Sequence, residues 1–392
     1  MKVLQINAVC GKGSTGKICA SISELLNEKG IENYILYSAG RSTHSGAVKY
    51  SSEKYIKVQA LKSRIFGNYG FNSVYCTRKL LRYIEKISPD VVHLHNLHGH
   101  NCHLGMLFKY LKKHNIKVYW TFHDCFAFTG YCTHFDSIGC DKWQTECHNC
   151  PQHKKYSWFF DRSRIMFKRK KELFTNVDLT VITPSVWMAE MVKKSFLCDC
   201  RINVINNGID LDIFKPSESD FRERYECADK FILLGVAHGW SSLKGLDEFI
   251  NLANNSKDDW KIVLVGALGR GVGRLPENVI YIPFTSNQVE LAEIYSAADV
   301  FVNPTMEDTF PTVNMEALAC GTPVITYKTG GSVEIIDDSC GIAVDKGNSQ
   351  ELARAIERVY DERPFTTEMC LNRAKNFSAK DKFAENIRLY EV

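Results

Sequence analysis

The sequence predicts an α/β protein built from two doubly wound, Rossmann-like domains facing a cleft. Three observations predict it. Short apolar runs alternate with helix-period segments along almost the whole chain. The alternation restarts after Pro184. The length of 392 residues, at about 150 per domain, allows two or three domains. Buried parallel strands need helical crossovers, and the intervening segments supply them.

The first strand is expected at 3–9. Gly11, Gly13 and Gly16 follow it, and then a helix with Ile18, Ile22, Leu25 and Leu26 on one face and Gly30 as its stop. Further strands read at 34–38, 90–95, 118–121 and 179–183. After Pro184 the strands are 203–205, 231–236, 261–265, 279–282, 300–303 and 323–326, with helices near 244–253, 288–297 and 312–319. The domains are therefore expected at 1–185 and 186–379, with a last helix over 380–392. The stretch 122–160 breaks the alternation. It is loop-like, aromatic and cysteine-rich, an insertion in the first domain.

Composition narrows the function classes. An apolar content of 45% with 24% charged residues is that of an ordinary soluble globular protein. A net charge of +4 is too small to argue for nucleic acid as a partner. Gln5 and Asn7 interrupt any signal-like run, and no stretch reaches the roughly 18 apolar residues of a membrane span. The 15 cysteines, an odd number, argue against full disulfide pairing and for a reducing cytoplasm.

Two segments carry chemistry. Gly11–Lys12–Gly13–Ser14–Thr15–Gly16–Lys17 links a strand to a helix, where free N–H groups favour an anion. It nearly spells a P-loop, but Ile18 stands where the Mg²⁺-ligating hydroxyl belongs. Three readings stay open there: a tight turn, a phosphate- or sugar-facing loop, and an ATPase or kinase using Lys17. The second segment runs from Glu307 to Pro323. It sets Glu307 and Asp308 in a loop after a strand, then a helix start, then Glu316 within the first turns. The N–H groups of Thr309, Phe310 and Thr312 can receive sugar or phosphate oxygens, while Glu316 suits hydroxyls, as carboxylates do in ribose recognition.

The segment 307–323 resembles the E-x7-E region of retaining glycosyltransferases of the GT-B fold, family 4. Val204–Asp210 with Phe214 and Pro216, Gly235–Ala237 with Trp240 and Lys244–Gly245, and the pairs His93/His95 and His123/Asp124 agree in order along the chain. The cysteine-rich stretch is similar to that of the capsule, colanic-acid and exopolysaccharide branch, which also serves lipopolysaccharide-type surface glycans. The resemblance implies a nucleotide-sugar donor (UDP-, GDP- or dTDP-sugar), a lipid-linked glycan acceptor and retention without a catalytic metal in hexosyl transfer. It implies an acceptor-side first domain, a donor-binding second domain and a last helix that packs back on the first. It assigns Glu316 to the ribose, Lys244 to the diphosphate and His123 to the donor sugar. Asp308 has the x7 spacing for the donor-sugar acid, with Glu307 as the second candidate. Gly239 replaces the arginine usual five residues before Lys244, and Arg270 or Arg274 could compensate. A non-catalytic, zinc-stabilised nucleotide-sugar-binding protein is the rival to an enzyme.

Cys132, Cys140, Cys147 and Cys150 read C-x7-C-x6-C-x2-C, with Cys125 just before them. Four thiolates suit a closed structural Zn²⁺ site, with His134, His148 or His153 able to replace one; free thiols, and iron–sulfur or disulfide chemistry, are the alternatives. The basic stretch 162–171, with Ile165, Met166 and Phe167 on its flank, reads as a peripheral contact with anionic lipid at the inner face of the plasma membrane.

Overall fold

The computed structural model describes residues 1–391 apart from Asn176 and Arg270. The chain divides into two compact units, Met1–Asn206 together with the chain from Lys382 onward, and Asn207–Asp381. The first holds a seven-stranded sheet of β1 (Lys2–Asn7), β2 (Glu32–Tyr37), β3 (Ala47–Lys49), β4 (Val91–Leu94), β5 (Lys117–Thr121), β6 (Leu179–Thr183) and β7 (Arg201–Val204). Its order is β3-β2-β1-β4-β5-β6-β7, and every pair is parallel. The second holds β8 (Phe231–Trp240), β9 (Trp260–Leu268), β10 (Val279–Ile282), β11 (Val300–Asn303), β12 (Val324–Tyr327) and β13 (Gly341–Val344). They are again parallel, in the order β10-β9-β8-β11-β12-β13.

All residues of β4, β6, β11 and β12 are buried, as expected of parallel strands covered by helices on both faces. The direction of winding reverses between β1 and β4 in one sheet and between β8 and β11 in the other. At such reversals the loops beyond the strands' carboxyl ends splay apart and leave room for a ligand.

Three features differ from the sequence expectation. The strand read at 203–205 as part of the second domain is β7, which continues the first sheet by pairing Thr180 with Arg201 through Thr183 with Val204. The units therefore part after Asn206 and not at 185. The three-residue edge strand β3 and the four-residue strand β13 are additional to the strands read from the sequence, both being too short to show a pattern. The insertion 122–160 is not coreless: Phe126, Phe128, Tyr131, Phe135 and Trp143 are buried in one cluster with the sheet's Trp120. The side chains of Phe135 and Trp143 stack with ring centres 4.7 Å apart.

Candidate functional site

In the second unit, the site grows from the loops after β8 and β11, the two strands flanking the reversal. The turn Ser242–Lys244 ends at Gly245, whose φ of 78° is left-handed and whose missing Cβ leaves space for Pro304. Met306 N–H donates to the Leu243 carbonyl at 2.9 Å, so the two loops are clamped together. This clamp brings Lys244 Nζ to 2.8 Å from Asp308 Oδ2 and 3.2 Å from the Glu307 carbonyl. Asp308 Oδ1 accepts from Thr309 N–H at 2.9 Å. The loop at Gly330 packs on the Asp308 carbonyl so closely that any side chain there would collide with it. Glu307, Thr309 and Phe310 are buried, whereas Asp308 keeps partial exposure.

The helix Thr312–Ala319 starts after Pro311, whose side chain offers no cap. Glu316 sits partly buried on this helix, and the Tyr295 hydroxyl donates to its Oε2 at 3.2 Å. Burial, and then the Glu316 charge, push the Tyr295 phenol well up, so it remains a neutral donor. Asn303 Nδ2 donates to Asn314 Oδ1 at 2.7 Å beneath this helix. Neither Tyr295 nor the asparagine pair was legible in the motif, because each partner comes from a different element. Gly239 is exposed with open space where a side chain would stand. Arg274 turns to solvent against Glu277 at 3.2 Å. Arg270, its alternative, lies outside the described residues.

In the first unit, the reversal at β1 and β4 holds a buried row of imidazoles. His93 Nδ1 lies 2.6 Å from the Tyr390 hydroxyl and its Nε2 lies 2.8 Å from Thr121 Oγ1. His95 Nδ1 stands 3.1 Å from His123 Nε2, and its Nε2 stands 3.2 Å from Gln5 Oε1. Burial pushes His93 down to about 3 and His123 to about 4, and takes His95 well below the ordinary range, so all three are neutral at pH 7. Beside them His98 Nε2 meets Asp124 Oδ2 at 2.8 Å. Burial opposes both charges, but each outweighs it for the other, raising His98 and holding Asp124 at about 2. His98 is thus the ion-pair partner of Asp124. Gly13 opens the first helix with φ of 63° in open space. Lys17 is exposed and Ile18 is buried, so no hydroxyl follows the lysine.

Cys132, Cys140, Cys147 and Cys150 line one cavity of about 20 Å³, walled by Tyr131, Phe135 and Trp143. None of the cysteines is disulfide-bonded. Gly130 N–H donates to Cys147 Sγ at 3.2 Å, and Cys150 receives a backbone bond from Gln152. His148 also lines the cavity, but its Nδ1 faces the Glu146 carbonyl at 2.8 Å. His153 Nδ1 faces the Cys150 carbonyl at 3.1 Å. As the side chains stand, no three ligating groups among the described residues converge tightly enough to hold a metal.

The basic stretch 162–171 is divided: Arg164, Lys168 and Lys171 are exposed, whereas Lys170 and in part Arg169 are held inside the protein. Lys170 is fully buried, its Nζ donating to the carbonyls of Phe126 at 2.6 Å and Thr129 at 3.1 Å. Arg169 lies 3.8 Å over the Phe71 ring. Arg164 and Lys168 both pair with Glu146, and Arg162 donates to Asn68.

Two family descriptions match the chain: "Glycosyltransferase Family 4" over residues 16–213 and "Glycosyl transferases group 1" over 218–378. A glycosyl transferase assigned to colanic acid biosynthesis in Escherichia coli, WcaC, is 24% identical over 384 residues, covering 90% of each chain. Among solved structures, sucrose-phosphate synthase from Thermosynechococcus elongatus aligns with a TM-score of 0.72 at 19% identity, over 100% of this chain and 98% of that one. HepE from Anabaena, solved with UDP, aligns with a TM-score of 0.71 at 16% identity over the whole of both chains.

Proposed function

The chain belongs to glycosyltransferase family 4, with the GT-B fold, and from that premise we propose that it moves a hexosyl group from a nucleotide-sugar donor to a lipid-linked glycan acceptor, with retention, in bacterial surface-polysaccharide assembly on the cytoplasmic side. The observation that carries this reading is the pairing of Lys244 with Asp308 beyond the strand ends that flank the winding reversal of the second sheet, followed by the helix that carries Glu316. A cation, a carboxylate and a fixed second carboxylate next to an uncapped helix start match the needs of a diphosphate, a sugar and a ribose respectively.

Lys244 would exchange its hold on Asp308 for the diphosphate, offsetting the charge that builds on the leaving group, and would free Asp308 for a sugar hydroxyl. Thr309, Phe310 and Thr312 would offer N–H groups to donor oxygens. Glu316, braced by Tyr295, would receive both ribose hydroxyls. His123, kept neutral by burial, would meet the donor sugar, and Gly13 would let the backbone of the first loop approach it. The departing phosphate would take the acceptor's proton, so catalysis needs no metal. The UDP bound to HepE supports placing uridine donors first in any screen, and the WcaC likeness supports a surface glycan as product.

The test is a panel of UDP-, GDP- and dTDP-sugars read by ligand-induced stabilisation, followed by transfer to a lipid-linked acceptor. One donor class should raise Tm, and Glu316→Ala should abolish both the shift and transfer. Retained activity in that variant would move the site elsewhere. ATP hydrolysis that vanishes in Lys17→Ala would instead support the kinase-like reading, and donor binding without turnover the non-catalytic one. We propose in addition that the cysteine cavity takes a structural Zn²⁺ when the thiols that line it turn inward from their present positions: it has room for one ion-sized guest, and backbone N–H donors already face two of the sulfurs.

A further inference from the structure

The segment between the cysteine cavity and the helix Ser163–Phe174 places three consecutive aromatic side chains in solvent. Trp158 is 51% exposed, Phe159 67% and Phe160 50%. A chain with apolar residues to spare for its cores normally hides such groups, and a contiguous exposed cluster marks a contact surface. Ile165, one turn into the following helix, is 51% exposed as well.

This cluster is held against the end of the helix Glu53–Phe66. Trp158 N–H donates to the Arg64 carbonyl at 2.6 Å, and the Arg64 guanidinium reaches back to the carbonyl of Lys155. Phe160's carbonyl lies against Gly67. The helix carries exposed apolar side chains of its own, Val58 and Leu61 three residues apart and Phe66 at its end, each about half exposed. Lysines flank both parts: Lys54, Lys57 and Lys62 on the helix, Lys154 and Lys155 before the aromatics, all exposed. The nearby carboxylates are turned to other work. Glu53 accepts from Gly40 N–H and pairs with Lys49, and Asp161 accepts from the N–H groups of Cys150 and Ser163.

We infer that this surface, Trp158–Phe160 with the exposed face of the helix Glu53–Phe66, docks on an anionic lipid bilayer. The aromatics would enter the interfacial layer while the lysines meet the headgroups. A second copy of the chain is a poor occupant, since the same face would set lysine against lysine. The inference serves the lipid-linked acceptor of the proposed reaction, but its test does not depend on transfer.

The experiment is co-sedimentation of the full chain with vesicles of phosphatidylcholine alone and with 30 mol% phosphatidylglycerol, roughly the anionic share that gives a substantial surface potential. Binding should require the anionic lipid and weaken with salt. Trp158→Ser/Phe159→Ser/Phe160→Ser and Lys54→Glu/Lys57→Glu/Lys62→Glu should each weaken it more than about tenfold. Arg164→Glu/Lys168→Glu, in residues already paired with Glu146, should change it less than about threefold. Unchanged circular dichroism and donor-induced stabilisation keep a folding defect apart from a docking defect. Absence of anionic-vesicle binding, or binding indifferent to the aromatic triple substitution, would overturn the inference. So would dimerisation that the aromatic substitutions abolish without any lipid effect. Vesicle binding by a chain that transfers no sugar would leave the inference standing and the proposed reaction not.

Discussion

Tyr295 orients Glu316 through one hydrogen bond at 3.2 Å, and nothing in the motif around Glu316 names it. The two lie 21 residues apart, on helices that meet only in the folded unit. Tyr295→Phe is therefore expected to raise KM for the donor about 5- to 20-fold while kcat changes less than threefold, since the carboxylate stays but loses its brace; an equal fall in both kcat and KM-normalised rate would argue against a positioning role. Residue chemistry also sets a pH dependence in the first unit. In the unfolded chain His93, His95 and His123 take up protons near pH 6.5, whereas the folded ones resist until about 4 or below. The unfolded state then binds more protons over that window, so stability falls as pH drops below 6.5. The loss is about 2 kcal/mol per histidine at pH 5. His98 acts in the opposite sense, its contribution present below pH 6.5 and lost as pH rises through its raised value, while that of Asp124 is lost only between about 4 and 2. Denaturant titrations at pH 7 and pH 5 should show the net loss, and His93→Gln should reduce it. Glu307, Asp308 and Glu316 could be singled out from their spacing along one loop and one helix, whereas Lys244 was assigned by the family resemblance. His98 with Asp124 was not legible, since their pairing needs the ends of β4 and β5 to be neighbours.

The cysteine-rich insertion shows what an irregular element can build. Without strand or helix period, thiol spacing was the one pattern to be read there. In the fold Phe126, Phe128, Tyr131, Phe135 and Trp143 are its core, and Lys170 from the next helix closes it by donating to two loop carbonyls. Hydropathy patterns treat lysine as solvated, so a buried lysine serving as a donor to carbonyls is invisible to them. The four thiols meet in one cavity despite unequal spacings. Protein purified without chelator should carry at least about half an equivalent of zinc per chain, and Cys147→Ser/Cys150→Ser should release it and lower Tm by several degrees. A lower zinc content in the wild type, measured by atomic emission, would leave the thiols free. The helix Ser163–Phe174 makes the complementary point: within one charge run Lys170 is buried and Arg169 covers the Phe71 ring, while Arg164, Lys168 and Lys171 stay exposed, a division no charge count shows.

At the scale of the molecule, the alternation of apolar runs and helices was enough to read two parallel sheets. Where the first one ends was not legible, because β7 follows a helix with the same pattern as any crossover. The first unit is also not one continuous stretch of chain, for Phe383, Ile387 and Tyr390 complete its core from the far end of the sequence. Tyr390→Phe should cost about 1–3 kcal/mol by stranding the buried His93 nitrogen, read as a lower denaturant midpoint at an unchanged m-value; a neutral result would mean that His93 finds another donor.

That arrangement has a temporal side. His93 and Tyr390 are separated by 297 residues, and a ribosome adding about 5–20 residues per second needs roughly 15–60 s to travel from one to the other. During that interval the second unit emerges and can close on its own, while the first waits with a buried imidazole lacking its phenol. A nascent chain of this protein therefore completes its earlier half only after its later half has been made, and until Tyr390 arrives that earlier half is what a chaperone would find to hold.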